Sequence, residues 1–267
     1  MSKSTSRGAM MKFCSILIFL FVGDALGSLE KRIVGSKSCG NARKYHIQLK
    51  TAQGEKTCGG ALLNTRWFIT ASHCANQKVQ VKLGEGSLNF FQKTNSKIKS
   101  AFKGRSNPLK QEIEPKQQFP FKDEEGKMHD IMLIKLNVDA SAKHGIIKLP
   151  ADCKRPATGS SLLIGGMGPK RAGGKPESSV RCATTKMIDC GEKDKPSSKY
   201  HSDETNTMCA HVPGVEACFG DAGTAVEFDG LLYGIIVNKP KDKCENPIVM
   251  MDICFYKEWI EKTMREN

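Results

Sequence analysis

Short apolar and β-branched runs recur along most of the chain, separated by Gly, Pro, Asn and Lys. The clearest runs lie at residues 46–49, 79–83, 131–136, 162–164, 231–237 and 248–253. Many short strands divided by turn residues are typical of an all-β barrel or sandwich. The C-terminal segment differs, because its apolar residues recur at spacings of three and four, which predicts an amphipathic helix over residues 255–265. Residues 91–128 are rich in lysine and poor in such runs, so we expect surface loops there.

The N-terminal region has the pattern of a secretory signal peptide. An apolar run covers residues 13–22, and the small residues Ala25 and Gly27 follow it as a cleavage pattern. The alternative is a membrane anchor, but a spanning helix needs about 20 apolar residues, and this run is much shorter. We therefore expect residues 1–27 to be a signal peptide, the protein to be secreted or stored in secretory granules, and no transmembrane segment elsewhere.

The composition indicates that the protein folds in an oxidising compartment and that its surface is basic. One of the 11 cysteines, Cys14, falls in the signal peptide, which leaves an even number to pair. The formal net charge is +13, which favours anionic glycans, nucleic acid or anionic membrane by non-specific attraction, although in most basic secreted proteins it serves solubility. No aromatic residues alternate with the lysines, so we expect no specific nucleic-acid binding. Paired Cys-x-x-Cys clusters are missing from the sequence, so we expect no metal site and no cofactor.

Three segments have a characteristic order of residues. Residues 67–74 read Trp-Phe-Ile-Thr-Ala-Ser-His-Cys, residues 130–136 read Asp-Ile-Met-Leu-Ile-Lys-Leu, and residues 218–226 read Cys-Phe-Gly-Asp-Ala-Gly-Thr-Ala-Val. Together they resemble the segments for the general base, the orienting aspartate and the nucleophile in the chymotrypsin and trypsin family, most closely in vertebrate trypsins. The resemblance covers residues 28–267. It implies two antiparallel six-stranded β-barrels, a short C-terminal helix and a monomer.

The nucleophile position departs from the family pattern. Where the family has Gly-Asp-Ser-Gly-Gly-Pro, residues 220–225 read Gly-Asp-Ala-Gly-Thr-Ala, so Ala222 replaces the serine. A methyl group offers neither a proton to the base nor a lone pair to a carbonyl. By resemblance His73 is the retained base, Asp130 its orienting partner, and the Gly220 N–H part of the oxyanion hole. Thr224 and Ala225 replace Gly-Pro in this turn, and a β-branched Thr restricts it.

The resemblance also implies a zymogen. Residues 28–32 match a short activation peptide, and residues 33–267 match the protease domain. Cleavage after Arg32 would free the α-amino group of Ile33, which in the family pairs with the aspartate before the nucleophile, here Asp221. The alternative interpretation of Lys31 and Arg32 is a plain dibasic linker.

The specificity pocket differs from that of trypsins as well. Glu216 stands where trypsins have an aspartate at the pocket floor, and Val237, Asn238 and Lys239 replace the Ser-Trp-Gly wall. Ile248 replaces a glycine that lets the substrate side chain pass. We expect Ile248 to fill the pocket and Lys239 to pair with Glu216. The alternative is that Glu216 is a solvated or internally paired carboxylate.

Sequence alone leaves the pairing of the cysteines open, but the resemblance to trypsins assigns it. The implied disulfides are Cys39 with Cys182, Cys58 with Cys74, Cys153 with Cys254, Cys190 with Cys209, and Cys218 with Cys244. The loop at residues 84–91 resembles the start of the trypsin calcium loop, but only Glu85 matches a carboxylate ligand. Because calcium requires several charged oxygens, we expect no structural calcium.

These features lead to one main functional interpretation and two alternatives. The main interpretation is a secreted, non-proteolytic homologue (a pseudoprotease, not an enzyme) that binds a protein partner or an anionic glycan or surface. A basic member of this group acts in host defence. The first alternative is a serine endopeptidase with residual or unconventional activity, as a classification by fold would assign, for example through Thr224. The second is a decoy for protease inhibitors.

Overall fold

The computed structural model describes residues 36–40, 42–51, 57–83, 110–141, 143–168, 179–217, 220–238, 244 and 246–267. These residues form two β-sheets and one C-terminal α-helix. In chain order the elements are β1 (Lys37–Ser38), β2 (His46–Thr51), β3 (Thr57–Leu62), β4 (Trp67–Thr70), β5 (Val79–Leu83), β6 (Lys110–Ile113), β7 (Gln118–Lys122), β8 (Met128–Lys135), β9 (Ser161–Gly166), β10 (Arg181–Ile188), β11 (Thr207–Ala210), β12 (Ala225–Phe228), β13 (Leu231–Ile236), β14 (Ile248–Asp252) and α1 (Ile253–Glu266).

The first sheet is an antiparallel, curled half-barrel in the order β6-β5-β2-β3-β4-β8-β7. Strands β2 and β5 largely alternate buried and less buried residues, as expected for strands with one face on the core. Strands β3 and β4 are buried throughout because they lie in the middle of the sheet. The core of this sheet includes Ile47, Leu49, Phe68 and Leu133, all fully buried.

The second sheet closes into a barrel. Strand β9 pairs with both β10 and β12, so six strands form a ring in the order β9-β10-β11-β14-β13-β12, and β1 adds to the edge of β10. Ile164, Val226 and Met250 lie in its core. The predicted all-β, trypsin-like fold with a C-terminal helix is confirmed, with the second of the two predicted six-stranded barrels closed and the first present as a curled half-barrel. Among the described residues, the first sheet remains open, since β6 and β7 do not pair with each other.

The expectation of surface loops across residues 91–128 was wrong for its C-terminal part. Residues Lys110–Ile113 form β6, in which Gln111 and Ile113 are buried and the alternate residues are exposed. A 3-10 helix, Pro115–Gln117, leads from β6 into β7. The alternation in β6 mixes a polar residue with an apolar one on the buried face, so the sequence pattern there was too weak to predict a strand.

Helix α1 forms as the spacing of its apolar residues predicts. Asp252 caps its N-terminus by accepting a hydrogen bond from the Cys254 N–H at 2.9 Å. Tyr256 and Ile260 are fully buried, and they pack the helix against a core formed by residues of both sheets. No helix among the described residues is long and apolar enough to cross a membrane.

Three of the implied disulfides are present: Cys39–Cys182, Cys58–Cys74 and Cys190–Cys209. Cys244 is also disulfide-bonded, while Cys218 lies outside the described residues. The implied bond between Cys153 and Cys254 is not formed in this structure. Instead, the two thiols meet through a hydrogen bond, and burial together with that bond raises the pKa of Cys254 to about 12.

Candidate catalytic site

A histidine and an aspartate form the centre of the site. His73 lies in the 3-10 helix Ser72–Cys74 after β4, and Asp130 lies in β8. Asp130 Oδ1 accepts a hydrogen bond from the His73 backbone N–H at 2.9 Å, and its Oδ2 lies 2.7 Å from His73 Nδ1. The Asp130 side chain is fully buried and that of His73 is 7% exposed. In this geometry the carboxylate orients the ring, so that Nε2 is left to exchange a proton.

Two links beside this pair fix the histidine segment. The Cys58–Cys74 disulfide ties the 3-10 helix to β3. The Ser72 hydroxyl donates a hydrogen bond to the Ile131 carbonyl at 2.7 Å, which ties the same helix to β8. The pair predicted from the two sequence motifs is therefore assembled and held from both sides.

Tyr200 is a neighbour of the site that the sequence motifs did not indicate. Its side chain is buried, and burial together with the nearby Asp130 charge raises its pKa to about 12. Tyr200 comes from the loop between β10 and β11, far from Asp130 in the chain. Only the tertiary fold brings them together, so no local sequence signal identifies it.

Backbone hydrogen bonds hold the loop that carries Ala222. The Ala222 carbonyl accepts from the Gly59 N–H at 2.7 Å, the Gly223 N–H donates to the Ile236 carbonyl at 2.7 Å, and the Thr224 N–H donates to Asp221. Ala222 itself is 6% exposed. None of these bonds involves the side chain at residue 222, so the loop keeps its shape with a methyl group there.

Glycine is required at two positions of this loop. Gly220 and Gly223 have φ angles of +90° and +80°, in the left-handed region that other residues rarely adopt. A Cβ at Gly223 would come within 2.3 Å of both the Gly59 carbonyl oxygen and Thr70 Oγ1. Gly223 thus lets the loop lie directly against the segment that leads to His73.

Thr224 fits into the turn, although its β-branched side chain was expected to restrict the turn. A Cβ at Gly59 would lie 2.1 Å from Thr224 Cγ2, so the absence of a side chain at Gly59 makes room for that methyl group. Thr224 is fully buried, and its Oγ1 has no hydrogen-bond partner among the described residues. A hydroxyl in this position is closed to a substrate.

Asp221 points toward the end of β9. The Gly168 N–H donates to Asp221 Oδ1 at 3.3 Å, and a Cβ at Gly166 would lie 2.0 Å from the same oxygen. Arg32 and Ile33 lie outside the described residues, so the pairing of Asp221 with a new N-terminus stays a prediction.

The residues of the predicted pocket lie among apolar side chains. Ile248 is fully buried in one cluster with Val215 and Ala217, the two neighbours of Glu216. Asn238 joins the wall to the next strand, because its Nδ2 donates to the Pro247 carbonyl at 3.1 Å and its Oδ1 accepts from a backbone N–H at 2.7 Å.

Val237, next to Asn238, is buried as well. Lys239 lies outside the described residues, so its pairing with Glu216 stays a prediction, as does the calcium loop at residues 84–91. The described part of this region has the character of a filled core rather than of an open slot.

Comparison with known proteins gives one consistent result. The family described as Trypsin matches residues 32–260. Kallikrein-8 of Mus musculus is 31% identical over 261 residues, covering 93% of this chain and 94% of that protein. Trypsin of Xenopus laevis is 29% identical over 263 residues, covering 96% of this chain and 100% of that protein.

Solved structures agree in fold. A structure of a mutant of human heparin binding protein superposes with a TM-score of 0.62 at 20% identity, covering 88% of this chain and 97% of that one. A structure of HBP at atomic resolution gives a TM-score of 0.64, also at 20% identity, covering 87% of this chain and 96% of that one.

Proposed function

The chain belongs to the trypsin family of serine proteases, and from that premise we propose that it is a secreted, non-proteolytic member that acts by binding. Ala222 carries this proposal, because it occupies the nucleophile position beside an assembled His73–Asp130 pair. The base has no hydroxyl or thiol to activate. In a protease of this mechanism, loss of the serine lowers kcat on the order of 10⁶-fold.

The alternative of an unconventional endopeptidase finds little support. Thr224 is the hydroxyl nearest in sequence to Ala222 on its C-terminal side, yet it is fully buried and lies beside Gly59. A nucleophile must reach both the base and the substrate carbonyl. Thr224 in this position reaches no substrate.

The inhibitor decoy is also disfavoured. Protease inhibitors insert a side chain into the specificity pocket of the enzyme that they block. Here Ile248, Val215 and Ala217 form a buried apolar cluster around the position of Glu216. We infer that such a cluster leaves little room for the side chain of a standard inhibitor loop.

Binding of an anionic glycan is supported by a patch on the first sheet. Lys50, Lys82 and Lys110 are exposed on the adjacent strands β2, β5 and β6, and they line one shallow cleft, which we call the lysine cleft. Three ammonium groups on neighbouring strands suit a sulfated or carboxylated chain. The name of the structurally similar heparin binding protein points to the same class of ligand. A role of this chain in host defence is part of the same proposal.

The first experiment distinguishes the effect of the missing nucleophile from the effect of the altered specificity pocket. The chain cleaved after Arg32 is treated with a serine-directed fluorophosphonate, beside its Ala222→Ser variant. We expect no labelling of the natural chain and clear labelling of the variant, because the base and the loop are already in place. Peptide substrates are expected to be cleaved slowly or not at all by either protein, because we expect Ile248 to fill the pocket.

The control is His73→Ala in the Ala222→Ser background, which is expected to lose the labelling. Labelling of the natural chain that depends on His73 would overturn the proposal and favour the endopeptidase. Efficient cleavage of peptides by Ala222→Ser would mean that the pocket is open, and a decoy role would then replace a binding role elsewhere on the surface.

A further inference from the structure

Two histidines and an aspartate converge on the side of β8 away from His73. Asp123 lies in the turn before β8, His129 lies in β8 next to Asp130, and His201 lies in the loop before β11. One ligand atom from each of the three lies within 4.8 Å of the other two. Successive residues of a strand face opposite sides, so this cluster and the catalytic pair lie back to back on β8.

The distances suit a small tetrahedral cation. His129 Nε2 and Asp123 Oδ2 are 3.3 Å apart. Metal bonds of about 2.0 to 2.1 Å at tetrahedral angles place two ligand atoms about 3.3 to 3.4 Å from each other. The His201 ring has its centroid 5.1 Å from that of His129 and is partly exposed, so a small rotation of this ring completes the set.

Partners outside the cluster orient both imidazoles. Tyr256 Oη lies 2.7 Å from His129 Nδ1, and Asp203 Oδ2 lies 3.2 Å from His201 Nε2. Hydrogen bonds of this kind on the second ring nitrogen fix the tautomer and the ring orientation of metal-binding histidines. With Nδ1–H donated to Tyr256, the lone pair on His129 Nε2 is directed at the cluster.

The side chains of the cluster are mostly shielded from solvent, but the cluster lies beside a surface cleft. The His129 side chain is 1% exposed and that of Asp123 is 23% exposed. A surface cleft opens beside the cluster and gives water access to it; its lining includes Met128, Tyr200 and His201 and also three lysines, Lys127, Lys195 and Lys199.

We propose that Asp123, His129 and His201 form a binding site for a divalent transition metal, represented by zinc, with a water molecule as the fourth ligand. Nitrogen from two imidazoles and oxygen from one carboxylate is a ligand set that zinc commonly takes. Asp203 and Tyr256 act as positioning residues. The proposal departs from the expectation of no metal site, which considered the cysteine spacings and the calcium loop.

The metal would join three parts of the fold. It connects the β7–β8 turn to β8 and to the loop that carries Tyr200 and His201. The His201 N–H already donates to the Met128 carbonyl at 2.7 Å, so the metal would strengthen an existing junction. Because a ligand that binds only the folded state stabilises it, zinc is expected to raise the melting temperature.

The test is calorimetric titration of the full chain with zinc alone, beside four variants. We expect His129→Gln and His201→Gln to weaken binding by at least about 100-fold, since loss of an orienting partner already weakens it by about 10- to 100-fold. Tyr256→Phe is expected to lose about tenfold. His211→Gln, which changes an exposed histidine outside the cluster, is the matched control and should leave the affinity unchanged.

Cobalt distinguishes this site from the thiols of Cys153 and Cys254. Bound at the cluster, Co²⁺ should give a tetrahedral visible spectrum without a thiolate charge-transfer band, and His201→Gln should abolish it. His201 is partly exposed, so this variant tests the site even if the buried His129→Gln fails to fold.

Three results would overturn the proposal. One is a thiolate band, and another is zinc affinity that does not change in His201→Gln. The third is absence of binding at micromolar zinc. Any of them would leave a hydrogen-bonded cluster with a purely structural role.

Discussion

His46 and Thr224 meet beside Gly59, where the first sheet touches the loop that leads into β12. Neither His46 Nε2 nor Thr224 Oγ1 has a hydrogen-bond partner among the described residues. Burial, reinforced by the charge of Arg43, lowers the pKa of His46 to about 3. His46 is therefore neutral in the folded protein at neutral and mildly acidic pH, although an ordinary histidine titrates near pH 6.5.

We expect the folded state to lose stability as the pH falls from about 6.5 toward 3. In this window the unfolded chain protonates His46 and the folded chain does not, so each pH unit lowers the free energy of unfolding by about 1.4 kcal/mol. Below about pH 3 the folded chain also binds the proton, and the loss levels off. The check is denaturant unfolding of the natural chain and His46→Gln between pH 7 and 4.

His46→Gln should have the shallower pH dependence over this range. His211→Gln, which changes an exposed histidine, is the control and should follow the natural chain. Parallel curves for the natural chain and His46→Gln would mean that His46 takes up a proton in the folded state.

At this scale the sequence identified His73 and Asp130, which the structure brings together, but it gave no indication of the environments of other buried polar residues. His73, Asp130 and Ala222 lie in motifs whose order of residues is specific, so they were found without a structure. His46 and Tyr200 have ordinary neighbours in the chain. Their environments depend on contacts with distant segments, which no local pattern encodes.

Among the elements, the segment before β2 and strand β12 are joined by a buried ion pair. Arg43 Nε lies 2.7 Å from Glu227 Oε1, and the two side chains are 1% and 13% exposed. Tyr45 Oη bonds to both side chains, and the Ala225 carbonyl accepts from the Arg43 guanidinium. The pair therefore connects the two sheets with its polar groups largely satisfied, although Arg43 Nη1 remains without a partner among the described residues.

Glu227→Gln is expected to lower the free energy of unfolding by about 3 to 5 kcal/mol, because it leaves the Arg43 charge buried without its counter-ion. Chemical unfolding at pH 7 measures this change. Arg43→Met combined with Glu227→Leu should cost less than Glu227→Gln alone, since it removes both charges together.

The matched control for this pair is Glu112→Gln. Glu112 pairs with Lys78 at 2.9 Å, but both side chains are exposed. Water already screens that pair, so its loss should leave stability nearly unchanged. An equal loss in Glu227→Gln and Glu112→Gln would mean that burial adds nothing to the Arg43–Glu227 pair.

Element prediction followed the strength of the periodic signal. The helix at the C-terminus and the strands β5, β8, β13 and β14 were predicted because most of their buried residues are apolar. Strand β6 was missed because Gln111, a polar residue, occupies a buried position. Cys153 and Cys254 were predicted to form a disulfide. The family resemblance indicates that the two cysteines lie close together, but it does not determine whether they are oxidised.

At the scale of the whole molecule, 41 Lys and Arg against 28 Asp and Glu give a formal net charge of +13, which favours association with anionic surfaces. Only part of this charge is concentrated, and the lysine cleft is one such place. General charge gives weak attraction that physiological salt screens over about 8 Å. A localised cluster binds an anionic chain more strongly than the same charge spread over the surface, because several contacts form at once.

We expect the full chain to remain on a heparin column at physiological salt. Replacing Lys50, Lys82 and Lys110 by Gln should lower the salt concentration at elution clearly. In the control variant, three exposed lysines outside the cleft, Lys154, Lys186 and Lys195, are replaced by Gln. The two triple variants therefore have the same net charge. Equal elution of the two triple variants would mean that total charge alone governs retention.

The backbone support of the loop at Ala222 has an evolutionary consequence. Since the bonds to Gly59 and Ile236 hold the loop whatever side chain residue 222 carries, a mutation there can end catalysis without lowering the yield of folded protein. Selection on folding would not oppose such a change. A secreted protease with this architecture can therefore pass abruptly from cutting its targets to holding them, and any new role is then shaped on the outer surface by later mutations.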